Sequence, residues 1–230
     1  MTTSDTEAMS PNHQGTSDPP GRRTRRLGKT GRLIDSRIVG PRGLQTRYLR
    51  NESQGRADVA ALRKAASKDP GELPEVWSLT GVDVPDSAGD APTWAEIAAH
   101  TAMTLYAVHQ QSRTDPMFRP GQGLGQAARD LIGPPDSENP SARARFNALV
   151  TSTTITELRY HLRGLVSQLR AHGIPLDHAM LADDLLAFQH PGGAKDIRLR
   201  WSRQYAWLPN VADATSAPGT TIPTPSTPEN

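Results

Sequence analysis

Between residues 155 and 169, Ile155, Leu158, Leu162, Leu165 and Leu169 recur at alternating three- and four-residue steps. At 100° per residue this spacing lays five large apolar side chains along one side of an α-helix. It fits no strand, whose faces alternate every two residues. Such a stripe is stable only when other apolar surface covers it, so the surrounding chain must supply further packing elements. His172 and Gly173 follow the last leucine of the run, a favoured place for a helix to stop.

Those further elements also read as helices. Short helices are expected at 33–39 and 44–51, separated by Gly40, Pro41 and Gly43. A longer one at 56–68 places Val59, Leu62 and Ala66 at helical spacing and ends at KDPGELP. One turn is expected at 75–79 around Trp77, then a loop over 80–92 that is rich in Asp, Gly and Pro. Thr93 and Glu96 form a T-x-x-E capping box. The helix it opens carries Trp94, Ile97, Ala98, Thr101, Leu105 and Val108 as its inward stripe. A helix at 124–132 precedes GPPDSENP (133–140), where a domain boundary is expected. Beyond it, Ser141 is expected to cap a helix bearing Phe146, Leu149 and Val150, and Asp177 to cap one reaching Phe188. A last helix near 194–207 should bury Ile197, Trp201 and Tyr205, with Leu208 just beyond it.

No segment alternates with period two for long enough to make a strand. The predicted fold is all-α: two small helical bundles, 32–133 and 140–208, between disordered tails at 1–31 and 209–230. Both tails are rich in Ser, Thr, Pro and Gly, with almost nothing to bury. They cannot offset an ordering entropy of about 1–2 kcal/mol per residue.

Several function classes fall away on composition. The chain has no cysteine, which excludes disulfides and thiolate metal sites. No run of about 18 apolar residues could span a membrane, and no signal peptide opens the chain, so a soluble, cytoplasmic protein is expected. The seven histidines have no spacing that makes a metal site. Asp183 and Asp184 are adjacent, hence about 100° apart on a helix, and cannot share one carboxylate site. No GxSxG or HExxH motif is present. Gly121-Gln-Gly-Leu-Gly125 lacks the Lys-Ser/Thr of a phosphate-binding loop and reads as a loop entering a helix. Neither an enzyme nor a cofactor is expected.

Charge points to binding. From Gly21 to Arg63 twelve basic residues face only Asp35, Glu52 and Asp58. Between Asp69 and Glu138 eleven carboxylates face Arg113, Arg119 and Arg129, and beyond Arg143 the chain turns basic again. Net charge is only +2, so segregation carries the signal rather than total charge. Arg159, Arg163 and Arg170 fall within about 40° of one another, beside the leucine stripe. A solvated helix face and the wall of an interhelical groove both fit that row. Arg143 and Arg145 before it, and Lys195, Arg198 and Arg200 after it, favour a continuous basic surface. Arg63 and Lys64 close the helix at 56–68, where a helix dipole favours cations in any case. The GRRTRR run at 21–26 reads as a solubilising arm or a source of non-specific phosphate contacts.

Taken in order, five strings resemble one family: RADVAALRKAASKDPGELPEVW (56–77), AEIAAHTAMTLYAVHQ (95–110), GLGQAARDL (123–131), ELRYHLRGLVSQLRAHGIPLDHAMLADDLLAF (157–188) and IRLRWSRQYAW (197–207). The family is CasB, the small subunit of the type I-E CRISPR Cascade complex. The resemblance implies a non-catalytic, all-helical subunit, present with a second copy of itself beside the large subunit and the crRNA-bound backbone subunits. It further implies a basic groove that holds the displaced DNA strand and steadies the R-loop. The matching basic positions are Arg63, Lys64, Arg143, Arg145, Arg159, Arg163 and the cluster Lys195, Arg198 and Arg200, with Arg170 added from the helical row. Two rivals stand beside this reading: a structural adaptor whose arginines meet protein carboxylates, and a free-standing helical DNA-binding regulator.

Overall fold

Ten α-helices run through residues 25–206, the part of the chain that the computed structural model describes. They are α1 (Lys29–Ile38), α2 (Leu44–Leu49), α3 (Ser53–Ala65), α4 (Trp77–Thr80), α5 (Trp94–Gln110), α6 (Leu124–Ile132), α7 (Pro140–Thr151), α8 (Ile155–Ala171), α9 (His178–Phe188) and α10 (Gly193–Ala206). Among the described residues the only β pairing is an isolated bridge between Phe118 and Leu176. The chain is all-α, as the apolar spacing requires. The tail expectations for 1–24 and 207–230, with the arginines at 22 and 23 and the apolar Trp207 and Leu208, lie outside the described residues.

The centre of the fold is α5. The sequence predicts one inward stripe, yet Ala98 through Gln110 are buried on every side except at Val108. Ala98, Ala99, Ala102 and Ala107 are small enough for helices to approach from several directions at once. One apolar core joins α5 to α6, α7, α8, α9 and α10; a second joins α5 and α9 to α1, α2, α3 and Val76. Trp94 is an exception to the predicted stripe. It stands at the first position of α5, with 45% of its surface exposed and its ring edge-on to His190. A periodic pattern sets direction around the axis, but a residue at the helix mouth has no neighbouring turn to cover it.

The caps follow local chemistry. The Thr93–Glu96 capping box forms in both directions, at 3.2 and 2.7 Å. The Asp177 carboxylate accepts the Ala179 and Met180 amides at 3.0 Å. Helix α7 is capped by Asn139, which accepts the Ala142 amide at 3.1 Å, rather than by Ser141 as predicted. Pro140, at the first helical position, starts the helix two residues earlier than a Ser141 cap would. The segment 133–140 holds a single 3-10 turn, Pro135–Ser137. Helices pack across it, α6 on α10 and α1 on α9.

Two features of the sequence acquire structural roles here. The glycines of the 121–125 run bring α6 onto α10: a side chain at Gly125 would meet the Trp201 carbonyl, and one at Gly123 would meet Gln204. The first described residues, expected to be tail, are tied down. The Gly28 and Gly31 amides each donate to the Asp183 carboxylate at 2.7 Å, and Arg25 bridges buried Asp177 at 2.5 Å and Asp35 at 2.7 Å. Asp183 thus supplies the negative charge that a helix N-terminus favours. Its neighbour Asp184 turns away to Arg200 and to the Trp201 indole nitrogen, so the two adjacent carboxylates serve different elements.

Candidate nucleic-acid interface

Helices α3 and α8 each pack on α5, and a groove of about 390 Å³ opens between them. Its walls carry Arg63 and Lys64 from the last turn of α3, and Arg163, Ser167 and Arg170 from α8. Val108 of α5 and Gln111 form part of its lining. Four of the ten cations singled out in the sequence therefore meet across one groove, although about a hundred residues separate the two walls. Among the described residues, Arg63, Arg163 and Arg170 form no ion pair. Lys64 reaches Glu75 at 3.5 Å through open water, where a pair contributes little.

A larger hollow of about 830 Å³ continues from Ala60, Arg63 and Gln111 toward Tyr48, Arg56 and Arg113. Arg56 and Arg113 thus extend the cationic lining. Arg113 meets Asp115 only at 3.6 Å, and its buried Nε has no hydrogen-bond partner. Beneath this end lies His109, which burial pushes down to about 4. The nearby Arg170 and Arg113 add to that effect, against the pull of the Ile174 carbonyl. The imidazole is therefore neutral near pH 7, and the positive charge of the groove belongs to its arginines and Lys64.

The remaining six cations lie elsewhere. Arg159 shares the α8 row, but its guanidinium bonds the Asp69 carboxylate at 2.8 Å and the Lys68 carbonyl at 2.9 Å. It fastens α8 to the turn that follows α3. Arg143 forms a two-pronged pair with Glu138, at 3.0 and 2.8 Å, and lies over the Tyr205 ring. Arg198 donates to the Ser152 carbonyl at 2.5 Å, and Arg200 pairs with Asp184. Lys195 is exposed on α10, away from the groove lining. Arg145 crosses from α7 onto α8, in the space left by Gly164: a Cβ there would stand 2.7 Å from its Nη1. The continuous basic surface expected from the sequence is thus a shorter track. Tertiary partners occupy half of its members, and linear charge patterning cannot register them. Sequence reading also missed Arg56 and Arg113 as lining, since isolated arginines in an Arg-rich chain carry no spacing signal.

No group of three or more His, Asp or Glu side chains among the described residues could hold a metal ion. No described helix is long and apolar enough to cross a membrane. The geometry defines a class of protein: an all-helical chain with an open groove between α3 and α8 that gathers four cationic side chains. Residues 58–205 match the family described as CRISPR-associated protein Cse2, and the chain belongs to that family. Its fold is similar to that of CasB from Thermobifida fusca, with 34% identity, a TM-score of 0.64, and 78% of this chain and 99% of that chain covered. CasB from M. ruber is also similar, at 26% identity and a TM-score of 0.51, over 73% of this chain and 93% of that one. CasB from Thermus thermophilus shares the fold, at 24% identity and a TM-score of 0.55, over 78% and 98% of the two chains. No curated protein matches the sequence.

Proposed function

We propose that this chain is the small, non-catalytic subunit of a type I-E Cascade complex and holds the displaced DNA strand of the R-loop by sequence-independent phosphate contacts. The observation that carries the reading is the convergence of Arg63, Lys64, Arg163 and Arg170 from two helices onto one open groove. Guanidinium groups free of protein partners suit phosphate oxygens, and a track of them follows a backbone without reading bases. R-loop formation exchanges one duplex for another of similar stability, so a few such contacts are enough to shift it. Membership of the Cse2 family supports the setting: the large subunit, the crRNA-bound backbone subunits and a second copy of this chain as neighbours.

The test is the lifetime of the R-loop in the reconstituted complex. With Arg63, Arg163 and Arg170 replaced by Ala, assembly should persist while the R-loop shortens. An unchanged lifetime in an intact complex sinks the assignment.

One observation favours a structural adaptor as the second reading. Between α7 and α10, the apolar side chains of Phe146, Val150, Leu199 and Tyr205 line an open hollow of about 350 Å³. On that reading, substitution at Leu199 would release neighbouring subunits before any groove variant altered DNA retention. The regulator reading has no comparable support.

A further inference from the structure

Among the described residues three large aromatic side chains stand exposed, and two are held by neighbours. Trp77 donates its indole N–H to the Gly71 carbonyl at 3.0 Å, and Trp94 packs edge-on against His190 with ring centroids 4.8 Å apart. The third, Tyr160, is 77% exposed on the outer face of α8, with only an edge contact to the next residue, His161, at 5.3 Å. Its surroundings are cationic. Gly164 lies one turn further along the same face, and over it rests the guanidinium of Arg145, brought there by the missing Cβ. Arg163 is exposed about 60° around the helix from Tyr160. Ser167 continues the face and is itself part of the groove lining. An open aromatic ring one turn before two guanidinium groups, on a face that leads into a cationic groove, has the components of a single-strand stacking site: a π-surface with phosphate-binding charges next to it.

We propose that Tyr160 is a nucleobase-stacking platform, on which a base of the bound single strand lies while Arg163 and Arg145 hold the flanking phosphates. This rests on the phosphate-track reading above and deepens it. Stacking is tolerant of sequence because every base has a π-face, so the platform adds affinity for single strands without selecting among them. It also separates an unpaired strand from a duplex, whose bases are already stacked.

The experiment compares two ligands of equal charge, an oligothymidylate of about 12 nucleotides and an abasic oligomer of the same length, bound by the full-length chain. The wild type should prefer the base-bearing oligomer by about tenfold. Tyr160→Ala should erase that preference and leave affinity for the abasic oligomer unchanged, whereas Tyr160→Phe should retain it. The proposal is overturned if the wild type binds both oligomers equally, or if Tyr160→Ala keeps the preference. It is also overturned if the Ala variant fails only in assembly with the other subunits, which would make this face a protein contact. Absence of binding to either oligomer would remove the phosphate track as well, so the two failures are distinguishable.

Discussion

Arg159 and Arg163 sit one turn apart on α8, and their surroundings give them different work. Arg159 bonds Asp69 and the Lys68 carbonyl, whereas Arg163 faces the groove without an acid partner among the described residues. Arg159→Ala should lower stability by about 0.5 kcal/mol, since Asp69 is largely exposed and water screens the pair. It should leave the salt dependence of DNA binding unchanged. Denaturant unfolding and a salt titration, run on the same variant, check both halves of that statement. Asp177 is the residue whose loss should be felt most. It caps α9, accepts the Gly121 amide at 2.7 Å and holds Arg25. Asp177→Ala should cost about 3 kcal/mol, from a lost cap together with a half-buried cation left with one partner fewer. Urea unfolding measures it, and a loss below about 1 kcal/mol would reduce Asp177 to an ordinary cap. The cap was legible in the sequence, because Asp before an apolar helical run has a local meaning. The Arg25 pair, 152 residues distant in the chain, had no local signal.

At the level of elements, helix type and order were legible because apolar spacing and capping chemistry act within a few residues. Helix starts were less so. Helix α3 begins at Ser53, ahead of the predicted 56, since Gly55 can pack against the Arg47 backbone where a side chain would collide. The burial of α5 on nearly every side from Ala98 onward was hidden because alanine reads as neutral in a periodic pattern, yet its small size is what admits a helix on each side. The close approach of α6 to α10 was hidden for a similar reason: Gly125 looks like loop punctuation until Trp201 is seen against it. Gly125→Val should force these helices apart and destabilise the fold by about 3 kcal/mol, as overpacking against a backbone atom does. A thermal melt reads the loss directly; an unchanged midpoint would mean that α10 can shift without penalty.

Across the whole molecule, burial leaves three histidines uncharged. His100 and His109 are pushed down to about 4 by burial, and His178 lies below its ordinary value for the same reason. Each gains a proton more readily when unfolded, so their contribution is complete above about pH 6.5 and is lost as pH falls toward 4. Asp184 acts in the opposite sense. Burial pushes it up to about 6, despite Arg200 and Trp201, so folding favours its protonation as pH falls. Three histidines outweigh one carboxyl, and stability should decline as pH falls from 6.5 to about 4.5. A flat melting temperature across that window would contradict the burial of these rings. The groove belongs to this scale too, for nothing local in the chain brings Arg63 beside Arg163. The measurement that bears most directly on it is the salt dependence of single-stranded DNA binding by the full-length chain, with and without Arg63, Lys64, Arg163 and Arg170. Each phosphate contact contributes a slope of about −0.7, so their replacement by Ala should make the slope shallower by about 2.8. An identical slope in the two proteins would mean that the strand does not run between α3 and α8.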